Sequence, residues 1–255
     1  MLSRLLQFVV LALLLVAGCG PLPQDGEQTE GTVVLLHGLA RTSNSMRVME
    51  KALLADGYRT CNINYPSTYH PVAVLVRDYV LPALRDCVRN GRSREEDSLL
   101  EDVRRAHFVT HSMGGIIVRV LQRQQIIGNM GRVVMLGPPN RGSELVDRLG
   151  DLRLFGWLNG PAGQQLSTAD TSFVNQLPPA TGLSLGVIAG NASLNPVYSG
   201  IIPGDDDGKV SVSRTRLDGM RDHLVLPVSH SFMMKNAEVI RQTKHFLRYG
   251  QFDHQ

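Results

Sequence analysis

The sequence predicts an α/β protein, a mostly parallel sheet with helices on both faces, and three observations carry that prediction. The runs Thr32-Val33-Val34-Leu35-Leu36 and Arg132-Val133-Val134-Met135-Leu136 are continuously β-favouring, as strands buried on both faces must be. Segments with apolar residues three and four positions apart lie between such runs, and this alternation of strand and helix requires parallel pairing through helical crossovers. The third observation is Val109-Thr110-His111-Ser112-Met113-Gly114-Gly115, which places a serine between a strand-like stretch and an apolar, helix-like one. Parallel sheets gather their sites at strand C-termini, and Ser112 falls at one.

The chain begins with an apolar segment. Leu5 to Ala17 is apolar except for Gln7, follows Arg4, and is too short to span a membrane comfortably, so residues 1–18 read as an export signal. Val16-Ala17-Gly18-Cys19 resembles the lipobox of bacterial lipoproteins, which implies cleavage before Cys19 and acylation of its thiol. Gly20 follows, not aspartate, so the expected location is the cell envelope, lipid-anchored on the periplasmic face of the outer membrane. Residues 19–30 are polar and rich in Pro, Gly and Gln, a tether to the folded body. Of the 255 residues, 237 then remain, enough for one domain with a substantial core, expected over 31–250 with a tail at 251–255.

Within that domain Thr32–Leu36 is the first strand, ending at His37-Gly38-Leu39-Ala40. Met46, Met49, Leu53 and Leu54 give helical spacing over 45–55, closed by Gly57. Tyr58 to Tyr65 reads as a strand broken by Pro66, and 70–88 as a long helix with Pro82 a kink point. Residues 90–105 are dominated by charge and read as a solvated connection. After the serine segment and the strand at 132–136, Gly137-Pro138-Pro139-Asn140-Arg141-Gly142-Ser143 is a turn; 144–180 loses periodicity, and 183–189 returns to buried-strand composition. The last strand-like run, Leu224 to Val228, leads into His230, and a terminal helix covers 234–247.

Composition excludes several functions. The net charge of +3 is scattered, with no basic stripe or aromatic ladder for nucleic acid. Besides Cys19 there are only Cys61 and Cys87, without a Cys-x-x-Cys pattern, so thiol-ligated zinc is not expected; the two either pair or stay separate buried thiols.

The serine segment has the spacing of a nucleophile elbow. A strand that turns sharply into a helix pushes the serine out of the sheet, and glycine two positions later avoids a backbone collision. The helix's first N–H groups point back at the serine and favour negative charge there. A base is needed at the same sheet edge. Of the histidines after Ser112, His223 precedes the last strand, His245 lies in the terminal helix and His254 at the chain end, so His230 is the candidate.

Together these features resemble the α/β-hydrolases, whose elbow is usually G-x-S-x-G; here Thr110 stands in for the first glycine. The resemblance covers nearly all of 31–250 and is closest to bacterial lipase-like esterases. It implies a small lid or cap inserted at 143–180, either an apolar flap lining an acyl pocket or a surface helix packed on the sheet. It implies that the N–H groups of Leu39 and Met113 form the oxyanion hole, while His37 is a structural loop residue. An aspartate in an Asp-Gly-x-Val turn orients the histidine in such proteins; Asp207, before Gly208-Lys209-Val210, holds that position, with Asp206 as runner-up and a calcium loop a poor third. The order Ser112, Asp207, His230 matches the family's.

The expected activity is hydrolysis of carboxylic, lipid or acyl, esters through an acyl-enzyme, without metal or organic cofactor. An acyltransferase or amidase on the same triad, or a non-catalytic envelope binding lipoprotein, are the alternatives.

Overall fold

The structure, a computed structural model, describes residues 31–89, 106–125, 131–150 and 153–255. The expected export signal at 1–18, Cys19, the tether and the charged connection at 90–105 lie outside the described residues.

Six strands form one sheet: β1 (Thr32–Leu36), β2 (Arg59–Ile63), β3 (His107–His111), β4 (Arg132–Leu136), β5 (Ser184–Gly190) and β6 (Asp222–Leu226). Their order is β2-β1-β3-β4-β5-β6, and every pairing is parallel. The chain moves outward from β1 to β2, then crosses back to place β3 on the other side of β1. The sheet therefore has its switch point between β1 and β3, where open α/β sheets bind ligands.

The continuous apolar runs follow from burial on both faces. Val34, Leu36, Phe108, Val133 and Met135 pack to one side, and Val33, Leu35, Val109, Val134 and Leu136 to the other. Each such Leu or Phe contributes about 2–3 kcal/mol relative to exposure, so neither face tolerates polar substitution. The first face is covered by α2 (Val72–Leu75), α3 (Leu81–Arg89) and α4 (Met113–Arg123); the second by α1 (Arg47–Ala55) and α8 (Ala237–Tyr249). Between β4 and β5 lie α5 (Glu144–Leu149) and α6 (Arg153–Gln164), and the short α7 (Pro196–Ser199) follows β5.

The long helix predicted over 70–88 is interrupted. A π-helical turn, Val76–Val80, separates α2 from α3 just before Pro82. Proline cannot donate to the preceding turn, and the widened turn absorbs that loss without ending the helical path. The helix starts under the side chain of Gln165, whose Oε1 accepts from the Val72 N–H at 2.7 Å. Cys87 on α3 forms a disulfide with Cys61 on β2, resolving the alternative of two separate thiols. Among the described residues no helix is long and apolar enough to cross a membrane.

Candidate active site

β3 ends at His111 and α4 opens at Met113, so Ser112 alone makes the turn, at φ 52° and ψ −122°. Few non-glycine residues hold such a conformation unless their surroundings enforce it. Here the Ser112 N–H donates to the Leu136 carbonyl at 2.8 Å, and its own carbonyl accepts from the Gly115 N–H at 2.9 Å. Gly114 explains the spacing: a Cβ there would lie 2.5 Å from the Leu36 carbonyl oxygen. The missing first glycine is also accounted for. Thr110 is fully buried inside β3, paired with Leu36 and Met135, where a strand residue with a small side chain fits.

Asp207 and His230 meet at the same edge. His230 Nδ1 lies 2.7 Å from Asp207 Oδ2, and because a carboxylate accepts, the ring proton sits on Nδ1. Asp207 Oδ1 accepts from the N–H groups of Lys209 and Val210, at 3.0 and 2.8 Å, which closes the turn and fixes the carboxylate. Asp206 is engaged elsewhere, accepting at Oδ1 from the Gly208 N–H and the Ser199 hydroxyl. The structure thus brings Asp207, not Asp206, to the histidine.

His111 and His37 flank this pair without joining it. His111 Nε2 donates to the His230 carbonyl at 3.0 Å, and burial, then the nearby His230 ring, hold His111 well below the usual histidine pKa. His37 is buried, stacked on Tyr65 with ring centroids 4.0 Å apart. Its Nδ1 donates to the Gly38 carbonyl and its Nε2 accepts from the Tyr65 N–H. Both nitrogens are used in holding the loop after β1, and burial lowers its pKa.

Ser112 and His230 line one cavity of about 230 Å³, together with Leu39, Leu145, Val146 and Leu166. With Nδ1 committed to Asp207, Nε2 is the nitrogen left to accept a proton there. Leu39 stands in the cavity wall, and the Met113 N–H, first in α4, has no partner within its helix. The segment expected to be a lid supplies part of this wall, while its Ala162, Leu166, Val174 and Leu177 are packed into the core beside the sheet.

Two glycines escaped sequence reading. A Cβ at Gly137, where φ is 53°, would stand 3.0 Å from Asp207 Oδ2 and 3.1 Å from His230 Nδ1. At Gly190 it would meet the Asp207 Cβ at 2.9 Å and the Val228 carbonyl at 2.2 Å. In sequence they were an ordinary turn glycine and a strand end. Only the convergence of four loops makes them part of the site.

No protein-family profile matches the sequence, and no curated protein matches it. Solved structures do resemble it. The mature lipase BlEst2 of Bacillus licheniformis superposes with a TM-score of 0.66 at 19% identity, over 86% of this chain and 93% of that one. Phospholipase PlaB of Legionella pneumophila gives 0.58 at 20% identity, over 85% of this chain and 57% of that one. The metagenomic carboxyl esterase MGS0156 gives 0.58 at 19%, over 83% and 68% respectively. The chain has the α/β-hydrolase fold.

Proposed function

We propose that this α/β-hydrolase-fold chain is a serine hydrolase of carboxylic, lipid or acyl, esters. The observation that carries the reading is the Asp207 to His230 hydrogen bond of 2.7 Å, with His230 and the strained Ser112 lining one cavity. His230 Nε2 takes the proton of the Ser112 hydroxyl as its oxygen attacks the ester carbonyl. Asp207 holds the imidazole in the required tautomer and stabilises the imidazolium. The N–H groups of Leu39 and Met113 receive the oxyanion, each such donor being worth roughly 3 kcal/mol of transition-state stabilisation. His230 then protonates the departing alcohol, and water releases the acid from Ser112 by the same steps in reverse.

The resemblance of Val16-Ala17-Gly18-Cys19 to a lipobox supports a lipid-anchored envelope enzyme with substrates at or near a membrane. The test is turnover of aryl esters of increasing acyl length by the chain and by Ser112→Ala, with fluorophosphonate labelling. Serine-dependent turnover is expected; unlabelled Ser112 with no turnover would leave the binding-module reading.

A further inference from the structure

The cavity that holds Ser112 does not stand alone. A second, more open cleft of about 660 Å³ adjoins it, and the two share Ala40, Arg41 and Ser231. Their characters differ. Apolar side chains, Leu39, Leu145, Val146 and Leu166, dominate one wall of the first. Amides and hydroxyls line the second, among them Asn44, Asn64, Ser67 and Thr68, with Arg41 and Lys235 as its charges. Neither is lined by an aspartate or glutamate.

Arg41 and Lys235 make no ion pair among the described residues. Lys209, which also lines the Ser112 cavity, lies over the Tyr198 ring, 5.0 Å from its centroid. Two exposed cations beside a nucleophile raise the local concentration of anions. Hydroxyl and amide groups around them suit the oxygens of a polyol or phosphate.

We propose that the substrates are acyl esters whose alcohol part carries a phosphate, of the glycerol-phosphate type. The acyl chain lies in the apolar cavity, and the anionic alcohol part in the cleft against Arg41 and Lys235. This rests on the serine hydrolase reading and adds to it a substrate class and two specificity residues.

The test compares butyrate release from glycerol 1-butyrate and from its 3-phosphate by the full chain in detergent. At low salt kcat/KM for the phosphate ester is expected to be at least roughly tenfold higher, with the advantage shrinking as salt screens the cations. In Arg41→Gln/Lys235→Gln the ratio should fall close to one, and Arg41→Glu should invert it. Independently of any variant, glycerol 3-phosphate should inhibit hydrolysis of a neutral aryl ester by the wild-type chain, and glycerol should not. Inhibition by inorganic phosphate equal to that by glycerol 3-phosphate would show a bare anion site and overturn the alcohol assignment. Equal kcat/KM for both butyrates, each dependent on Ser112, would overturn the proposal while leaving the hydrolase intact. Failure to turn over either ester, with Ser112 unlabelled by fluorophosphonate, would remove the hydrolase reading and this proposal with it.

Discussion

His230 and Asp207 are joined twice: ring Nδ1 to carboxylate Oδ2 at 2.7 Å, and the His230 N–H to the Asp207 carbonyl at 2.9 Å. The backbone bond holds the two loops together without the carboxylate. Asp207→Asn should therefore fold normally yet lower kcat by roughly ten-thousandfold, because the amide no longer selects the Nδ1–H tautomer. Asp206→Asn should cost less than roughly tenfold, since its contacts are within the loop. Ester turnover and thermal melts of both variants decide this; equal losses would mean that Asp207 has no special part.

Gly137 offers a test of geometry alone. Gly137→Ala adds one methyl group at a positive φ, directly against the Asp207 to His230 bond. A displacement of about 1 Å at reacting groups typically costs a hundredfold, and that is the expected loss in kcat, with slower fluorophosphonate labelling of Ser112. A fully active Gly137→Ala protein would mean that the pair has room to move.

Acid should destabilise the fold before its carboxylates titrate. His223 on β6 donates from Nε2 to Thr215 Oγ1, whose own proton goes to the Val212 carbonyl, while the buried His223 Nδ1 has no partner among the described residues. A second proton would be placed at that nitrogen, and burial depresses the pKa to about 4. Between about 6.5 and 4 the unfolded chain binds the proton and the folded chain does not, so unfolding free energy must fall as pH falls through this window. His37 and His111, also depressed, act in the same direction. Denaturant titrations from pH 7 to 4 should show this slope, and His223→Gln should flatten it.

The disulfide ties an outer strand to the helix over it. Cys61 and Cys87 are 26 residues apart in sequence, and opening a loop of that length is expected to cost about 3.5 kcal/mol on a chain-entropy basis. Urea unfolding with and without reductant measures it directly. No change in midpoint would mean that the reduced, unfolded chain already keeps these segments close.

What the sequence determined by itself are features set by short-range physics. Strand runs buried on both faces show as uninterrupted apolar stretches, and a serine forced through a tight turn shows as a glycine two positions on. Ser112 and His230 stood out because each follows a strand, and all strands of a parallel sheet end at one edge; Asp207 stood out only through the resemblance of its Asp-Gly-x-Val turn to that of the α/β-hydrolases. Tertiary structure alone decided the rest. It brought Asp207, not Asp206, against His230, paired Cys61 with Cys87, and put a π-turn ahead of Pro82. It also set Gly137 against the Asp207 to His230 hydrogen bond, and placed Arg41 and Lys235 in one cleft. These facts depend on the distance between residues remote in the chain, and no local pattern encodes a distance that only the packed sheet creates.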